Sequence, residues 1–289
     1  LVNGIIAPFR APKSAKLYRK VWTDKGSPLL FHGQSVAGKL QALLGSDYQV
    51  SLAMRYGKPS LVNVLNEAIE KQYPKVILVP LFPQYASSTS GSIIAFALNH
   101  LNKQTVIPSM EVRGQFYDHQ GYLDSFAGQI MKKDLRKYDH ILFSYHSLPI
   151  SHVNATHQGK DCSHFDCTHM VSGENAYCYQ ATCYATSRLL AERVNISPEN
   201  YTVCFQSRFS RNWIGPFSDK VIIEKARKGV KKILVVSPAF VADCLETIVE
   251  IGHEYKELFL KNGGDEFDWV ESLNDQTHWV EALAEIIRQ

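Results

Sequence analysis

Apolar residues recur at helical spacing from Leu29 through Gly33, Val36, Ala37, Leu40, Leu43 and Leu44, which predicts a first helix. Residues 48–54 alternate in the manner of a half-buried strand and lead into the turn Arg55-Tyr56-Gly57-Lys58-Pro59. Ser60 is placed to cap the next helix, with Leu61, Leu65, Ala68 and Ile69 on its buried stripe. Val76-Ile77-Leu78-Val79 reads as a short buried strand opening into a hydroxyl-rich loop, residues 80–92. Such a loop could cradle an anion at a helix N-terminus, although Ser and Thr there are ordinarily plain caps. Residues 105–112 read as a strand and 121–136 as a helix. The run ILFSYHSLP, residues 141–149, is a strand that stops at Ser144 and hands over to a histidine-bearing loop, which Pro149 keeps from continuing as a strand.

Beyond residue 151 the pattern dissolves into a polar segment up to residue 184, after which Ala181, Ala185, Leu189 and Leu190 restore a helical period. Residues 201–206, 233–237 and 267–270 predict strands, and 218–229, 242–262 and 277–288 predict helices. Strands alternating with helices imply an α/β protein with parallel sheets and right-handed crossovers. Two Rossmann-like, doubly wound halves fit the length, with residues 1–137 forming the first and 138–289 the second, the latter carrying a Cys-rich insertion at 151–184. A site is then expected in the cleft they enclose, at the carboxyl ends of strands.

Composition narrows the function. With 45% hydrophobic and 20% charged residues the chain can build a full core, and a net charge of +3 without a basic block gives no reason to expect nucleic acid. No apolar run reaches the roughly 20 residues of a membrane span, and nothing at the start has the form of a signal peptide. Six cysteines in a chain of this length suggest a reducing, cytoplasmic setting and metal-binding or catalytic thiols.

Candidate chemistry gathers in the second half. His146 closes one predicted strand, where an imidazole can act as a base near neutral pH, although a loop histidine often just hydrogen-bonds the nearby backbone. Residues 237–246 close another and begin a helix on which Glu246, Glu250 and Glu254 fall at i, i+4 and i+8, along one side of a regular helix. Such a row is ordinarily a solvated face. Begun inside a cleft, it could instead pass protons or bind a divalent cation.

Four segments together, FSYHSLP, LFPQYASSTSGS, FQSRFSRNWIGP and PAFVADCLETIVEIGHEY, resemble the signature segments of the ferrochelatases, which insert Fe(II) into protoporphyrin IX to make protohaem. The resemblance runs from about Ala7 to the C-terminus and implies two Rossmann-like halves around a porphyrin cleft, with protoporphyrin IX and ferrous iron as substrates. It implies that His146 accepts pyrrole protons at the macrocycle face, that Glu246 is its partner across the site, and that this pair meets the incoming iron. Asp243, Glu250 and Glu254 resemble an acidic path along a helix with π-turns, and Arg10, Tyr18, Ser27, Arg55, Tyr56, Phe82 and Trp213 match cleft or porphyrin-contacting positions. A tryptophan is commonly a core residue, but Trp213 sits in a polar loop.

The chain departs from the family pattern in places. That pattern opens a few dozen residues ahead of Leu1, with a first strand and part of the porphyrin lip. Phe82 stands where animal enzymes commonly have tyrosine, and Cys244 where they have histidine, which bears on metal delivery. Peripheral contact with the inner membrane is left open by the resemblance.

Cys162, Cys167, Cys178 and Cys183 give C-x4-C-x10-C-x4-C, which suggests a metal site with four cysteine ligands. Zinc is the generic occupant, and His164 or His169 could replace a thiol. Animal ferrochelatases hold a [2Fe–2S] cluster with a cysteine at the position of Ser87 and a cysteine-bearing C-terminal tail, neither of which occurs here. The internal set is similar to that of certain bacterial members, and this similarity implies a [2Fe–2S] cluster. Cys204, inside a strand, is expected in the core. Rival readings are coproporphyrin as substrate, a sirohydrochlorin cobaltochelatase of the same fold, and a non-catalytic haem or Fe–S sensor. A sensor has no need of a base facing an acidic path, so the His146–Glu246 pair speaks against it.

Overall fold

The computed structural model describes residues 18–289. At its centre lies β3, His140–His146, hydrogen-bonded in parallel to β4, Tyr201–Gln206, on one side and to β5, Lys232–Val236, on the other. A fourth parallel strand, β6 (Glu266–Trp269), completes the order β4-β3-β5-β6. The register sets Ile141 against Tyr201 and Leu234. Because the side-chain period of a strand is two, Phe143, Tyr145, Val203, Phe205, Leu234 and Val236 share one buried face while Leu142, Cys204, Ile233, Val235 and Phe267 share the other. Both faces are covered, which is why the strands read as continuous apolar runs.

A separate parallel pair, β1 (Lys75–Leu78) and β2 (Ser109–Val112), belongs to the first half, so the two sheets fall on either side of residue 137. Before it come α1 (Pro28–Leu44) and α2 (Leu61–Glu70), and Ser60 Oγ does accept the Asn63 N–H at 3.2 Å as an N-cap. A π-helical turn, Ser87–Gly91, leads into α3 (Ser92–Leu101), and α4 (Gln120–Met131) follows β2. In the second half come α5 (Ile150–Asn154), α6 (Tyr179–Arg193) and α7 (Ser218–Arg227), then a ten-residue π-helix, Glu246–Tyr255, continuing into α8 (Lys256–Lys261), and finally α9 (Thr277–Arg288).

Residues 48–54 form no strand ladder, contrary to their alternation. Gln41 takes up that backbone instead: its Nε2 donates to Tyr48 O and its Oε1 accepts from Val50 N, both at 2.9 Å. The last helix crosses back to pack on α1 and α4. Asp275, just ahead of it, accepts from Ser35 Oγ (2.6 Å), His32 Nδ1 (3.1 Å) and Lys39 Nζ (2.7 Å), so a single carboxylate clamps α1 to the second half. Those hydrogen bonds, Lys39 foremost, hold the Asp275 carboxyl below the usual carboxylate range.

His140 supplies a test of the sheet. Its ring is buried at the start of β3 with Nε2 2.9 Å from Thr202 Oγ1, and burial, assisted by the Lys225 charge, lowers it from 6.5 to about 4. Between those values the unfolded chain binds the extra proton and the folded one does not, so stability should fall as pH drops from 6.5 towards 4. Thermal melting should show this acid loss, and His140→Gln should flatten it. An unchanged slope would mean that other groups govern the acid limb.

Candidate active site and metal centre

The carboxyl ends of β3 and β4 are zipped together by backbone. Ser147 N donates to Gln206 O (2.7 Å), Ile214 N to Leu148 O (2.9 Å) and Ile150 N to Asn212 O (3.0 Å), while Ser147 Oγ donates to Ile214 O (2.7 Å). This pairing sets Trp213 opposite Pro149 and brings its ring centroid within 6.3 Å of the His146 ring. Trp213 is half-buried and so is not a core tryptophan. His146 Nδ1 lies 2.6 Å from Ser147 O, a carbonyl that can only accept, so the proton is placed on Nδ1 and Nε2 keeps its lone pair. Tyr179 OH donates to His146 O at 3.0 Å and holds the strand end from behind.

The acidic helix departs from the row expected of a regular helix. It is π-helical from Glu246, with the wider i to i+5 turn, which agrees with the π-turns implied by the resemblance. Its four carboxylates sit in different surroundings. Asp243 accepts from Thr247 Oγ1 (3.0 Å), Asn274 Nδ2 (2.7 Å) and Ser272 N (3.3 Å), so it ties the start of the helix to the loop after β6. Glu250 accepts from Ser207 N (2.9 Å), Tyr255 OH (2.9 Å), Gln206 Nε2 (3.3 Å) and Ser207 Oγ, which occupies its lone pairs. Glu254 is exposed. Glu246 is half-buried beside Cys244, whose thiol is pushed up by burial first and by the Glu246 charge second. Burial, then the charges of Glu246 and Cys244, also raises the Tyr18 hydroxyl, so a residue of the first half stands near the head of this helix.

The remaining cleft candidates lie in the first half. Arg55 stacks over the rings of Phe96 (4.0 Å) and Tyr56 (4.7 Å), and its buried Nε has no hydrogen-bond partner among the described residues. Tyr56 and Phe82 are exposed, and Ser27 is half-buried at the N-cap of α1. Arg10 lies outside the described residues. In the hydroxyl-rich loop Ser87 and Ser88 are exposed at the start of the π-turn, whereas Ser90 is fully buried within it.

In the insertion, the structure gathers His157 Nε2 and the sulfurs of Cys162, Cys167 and Cys178 within 4.8 Å of one another. His157 Nε2 is 3.2 Å from Cys162 Sγ and 3.7 Å from Cys167 Sγ, and the Cys162 and Cys178 sulfurs are 3.6 Å apart. The hydrogen bond from the Cys162 thiol, aided by the Ala181 N–H, lowers Cys178 against its burial and correspondingly raises Cys162. Cys183 does not join the set. Cys178 is the non-helical N-cap of α6, whereas Cys183 lies within the helix and is fully buried in the main core, where burial raises its thiol. His164 and His169 are exposed and pair with Asp161 (2.9 Å) and Asp166 (2.5 Å), so neither replaces a thiol. Cys183 shares the buried cluster of Cys167 and Cys178 and feels the charge of Cys178, but its sulfur is not among the gathered donors, and a [2Fe–2S] cluster on four cysteines would spread its donors over two irons. The four gathered donors could hold a metal ion.

A family model described as ferrochelatase matches residues 1–289. The chain belongs to the ferrochelatase family. It is 42% identical over 290 residues to the ferrochelatase of Legionella pneumophila strain Philadelphia 1, covering all of this chain and 86% of the relative. It is 39% identical over 293 residues to that of Coxiella burnetii strain Dugway, covering all of this chain and 81% of the relative. Among solved structures, SirB from Bacillus subtilis with Fe3+ superposes with a TM-score of 0.56 at 13% identity, over 91% of both chains. The sirohydrochlorin chelatase SirB from Bacillus subtilis subspecies spizizenii with cobalt gives 0.56 at 11%, over 91% of this chain and 90% of that one. At such identities they establish the chelatase fold.

His157 escaped the sequence reading, although the spacing H-x4-C-x4-C ahead of Cys178 carried the signal. The anchoring partners of Glu250, namely Gln206, Ser207 and Tyr255, were likewise invisible, because they come from a strand end and from the next turn of a π-helix. No helix among the described residues is long and apolar enough to cross a membrane.

Proposed function

We propose that this ferrochelatase-family chain inserts Fe(II) into protoporphyrin IX, releasing the two pyrrole protons as the metal enters. The observation that carries the reading is His146: an imidazole at the carboxyl edge of the central sheet, its Nδ1 proton directed to Ser147 O, its Nε2 without a partner among the described residues, with Trp213 beside it. A planar macrocycle shields its central nitrogens, so a protein must hold it distorted while a base takes the protons, with the strain offset by contacts remote from the reacting centre. His146 would be that base, with Trp213 and the Arg55–Tyr56 stack supplying remote contacts. Glu246, at the head of the π-helix on the strand next but for a loop, would face it across the cleft between the two halves and receive iron or protons. In this reading Tyr18, Ser27 and Phe82 would belong to the same cleft and Glu254 to its outer end, while Arg10 is a candidate by the family resemblance alone. Asp243 and Glu250 would serve chiefly by holding that helix in place.

The six cysteines are all free thiols, which supports a reducing compartment such as the cytoplasm. Exposed Trp22 and Leu29, close to Tyr18 in the chain, support peripheral contact with a membrane surface. A resident metal centre in the insertion is supported by its three gathered cysteines. The [2Fe–2S] form of it rests on the family resemblance and is opposed by the close spacing of the donors.

Anaerobic turnover with ferrous iron and, in parallel, protoporphyrin IX, coproporphyrin III or sirohydrochlorin tests the reading. Protohaem formation should be fastest. Preference for coproporphyrin would move the substrate within the family, and absence of turnover with every tetrapyrrole would favour a sensor.

A further inference from the structure

The donor set in the insertion differs from the one its cysteine count suggests, and the difference is chemical. A tetrahedral ion with metal–sulfur bonds of about 2.3 Å and a metal–nitrogen bond of about 2.0–2.1 Å holds neighbouring donors about 3.5–3.8 Å apart. The separations here are 3.2, 3.6 and 3.7 Å, with every pair inside 4.8 Å. A two-iron cluster takes two protein ligands on each iron, and its bridging sulfides keep the irons apart, so ligands on different irons stand further from one another than ligands sharing one ion. We propose that His157, Cys162, Cys167 and Cys178 hold one tetrahedral divalent ion, zinc by ligand type, with His157 Nε2 as the fourth ligand and Cys183 outside the site.

The surroundings show a scaffold that presents these four side chains to a common point. The His157 ring is buried and stacks on Phe165 at 4.6 Å and 13°, which fixes its plane. Its Nδ1 finds no partner among the described residues, so stacking rather than a hydrogen bond orients it. Asn175, itself buried, draws the intervening loop together: its Nδ2 donates to Met170 O (3.0 Å), Phe165 O (3.3 Å) and Cys167 Sγ (3.6 Å), and its Oδ1 accepts from Ser172 N (2.6 Å). Asn175 O also accepts from Cys178 N at 2.8 Å. The loop is short of large apolar residues, and ordering it costs about 1–2 kcal/mol per residue in backbone entropy. A bound ion offsets that cost and couples metal loading to folding. The ion also reaches the central strand, because Cys178 is followed by Tyr179, whose hydroxyl holds His146 O at 3.0 Å. None of this depends on the chelatase reading, since the readouts below do not involve turnover.

The test uses the full chain purified under reducing conditions, with metal analysis, zinc titration and cobalt exchange. The expected protein is colourless with one zinc per chain, and Co(II) exchanged into it gives the visible bands of a tetrahedral thiolate site. His157→Ala should weaken zinc binding at least about tenfold, the lower end of what disturbing a metal site costs. His157→Cys should retain the ion and shift the cobalt charge-transfer bands towards those of four thiolates, which keeps the test decisive if the alanine variant is insoluble. Cys183→Ala should leave zinc content unchanged. Two irons and two acid-labile sulfides per chain, with colour lost in Cys183→Ala but kept in His157→Ala, would overturn the proposal. So would a folded, metal-free protein that takes up neither added Zn(II) nor added Co(II).

Discussion

His146→Ala should lower metal insertion by about 10²–10⁴-fold, the usual contribution of a positioned general base, while leaving porphyrin binding largely intact. Among the described residues the side chain makes a single hydrogen bond, to Ser147 O, an acceptor, so its removal strands no buried donor there. The strand end is held independently by Ser147 N to Gln206 O and by Tyr179 OH to His146 O. A folded variant is therefore expected, with an unchanged melting profile. Binding is read from quenching of porphyrin fluorescence and turnover from the haem absorption band. Loss of both together would make His146 a binding residue, and near-normal turnover would remove it from the chemistry.

The second large effect falls on Glu250. Truncation to alanine strips the partner from Ser207 N, Ser207 Oγ, Gln206 Nε2 and Tyr255 OH at once, and should destabilise the fold by about 2–3 kcal/mol, since hydrogen bonds to a charged group are each worth about 1.5–3 kcal/mol and solvent can replace only some of them. Calorimetry should show the melting temperature lowered by about 3–5 °C. The damage is local: Ser207 has φ of +60°, a strained conformation for a residue with a side chain, and Glu250 is what ties it to the π-helix. The conservative variants separate anchoring from proton transfer. Glu250→Gln keeps a carbonyl for Ser207 N and should retain much of the activity, whereas Glu246→Gln, at the head of the helix, should lose most of it. If Glu250→Gln proved the more damaging while remaining stable, Glu250 would be a relay and Glu246 a bystander.

Much of this molecule follows from local pattern alone. Strands buried on both faces need continuous apolar runs, so β3, β4 and β5 stand out at residues 140–146, 201–206 and 232–236, and Cys204 lies in the core as a small apolar residue would. The cap at Ser60 and the helices at 218–227 and 277–288 are likewise local, since capping and amphipathic period involve neighbours a few residues apart. The four family segments are contiguous in the chain and could be recognised without a structure.

Tertiary structure decided what depends on partners distant in the chain. Residues 48–54 have a strand's alternation but no ladder: Gln41 takes up Tyr48 O and Val50 N, and Met54 bonds the turn that follows it. The acidic row at Asp243, Glu246, Glu250 and Glu254 looks uniform in sequence, yet hydrogen bonds from Ser207, Asn274 and Thr247 turn two of its members into anchors. Cysteine spacing could not tell Cys183 from the other three thiols, whereas the repeated x4 interval from His157 to Cys162 to Cys167 marked that histidine only once the ligand set was known. Which donors meet depends on where α6 begins: both cysteines are buried, but Cys178 lies off the helix as its N-cap and joins the gathered donors, while Cys183 lies on the helix and does not. Spacing along a chain reports which side chains share a face only once the backbone between them is regular, and between residues 157 and 178 it is not.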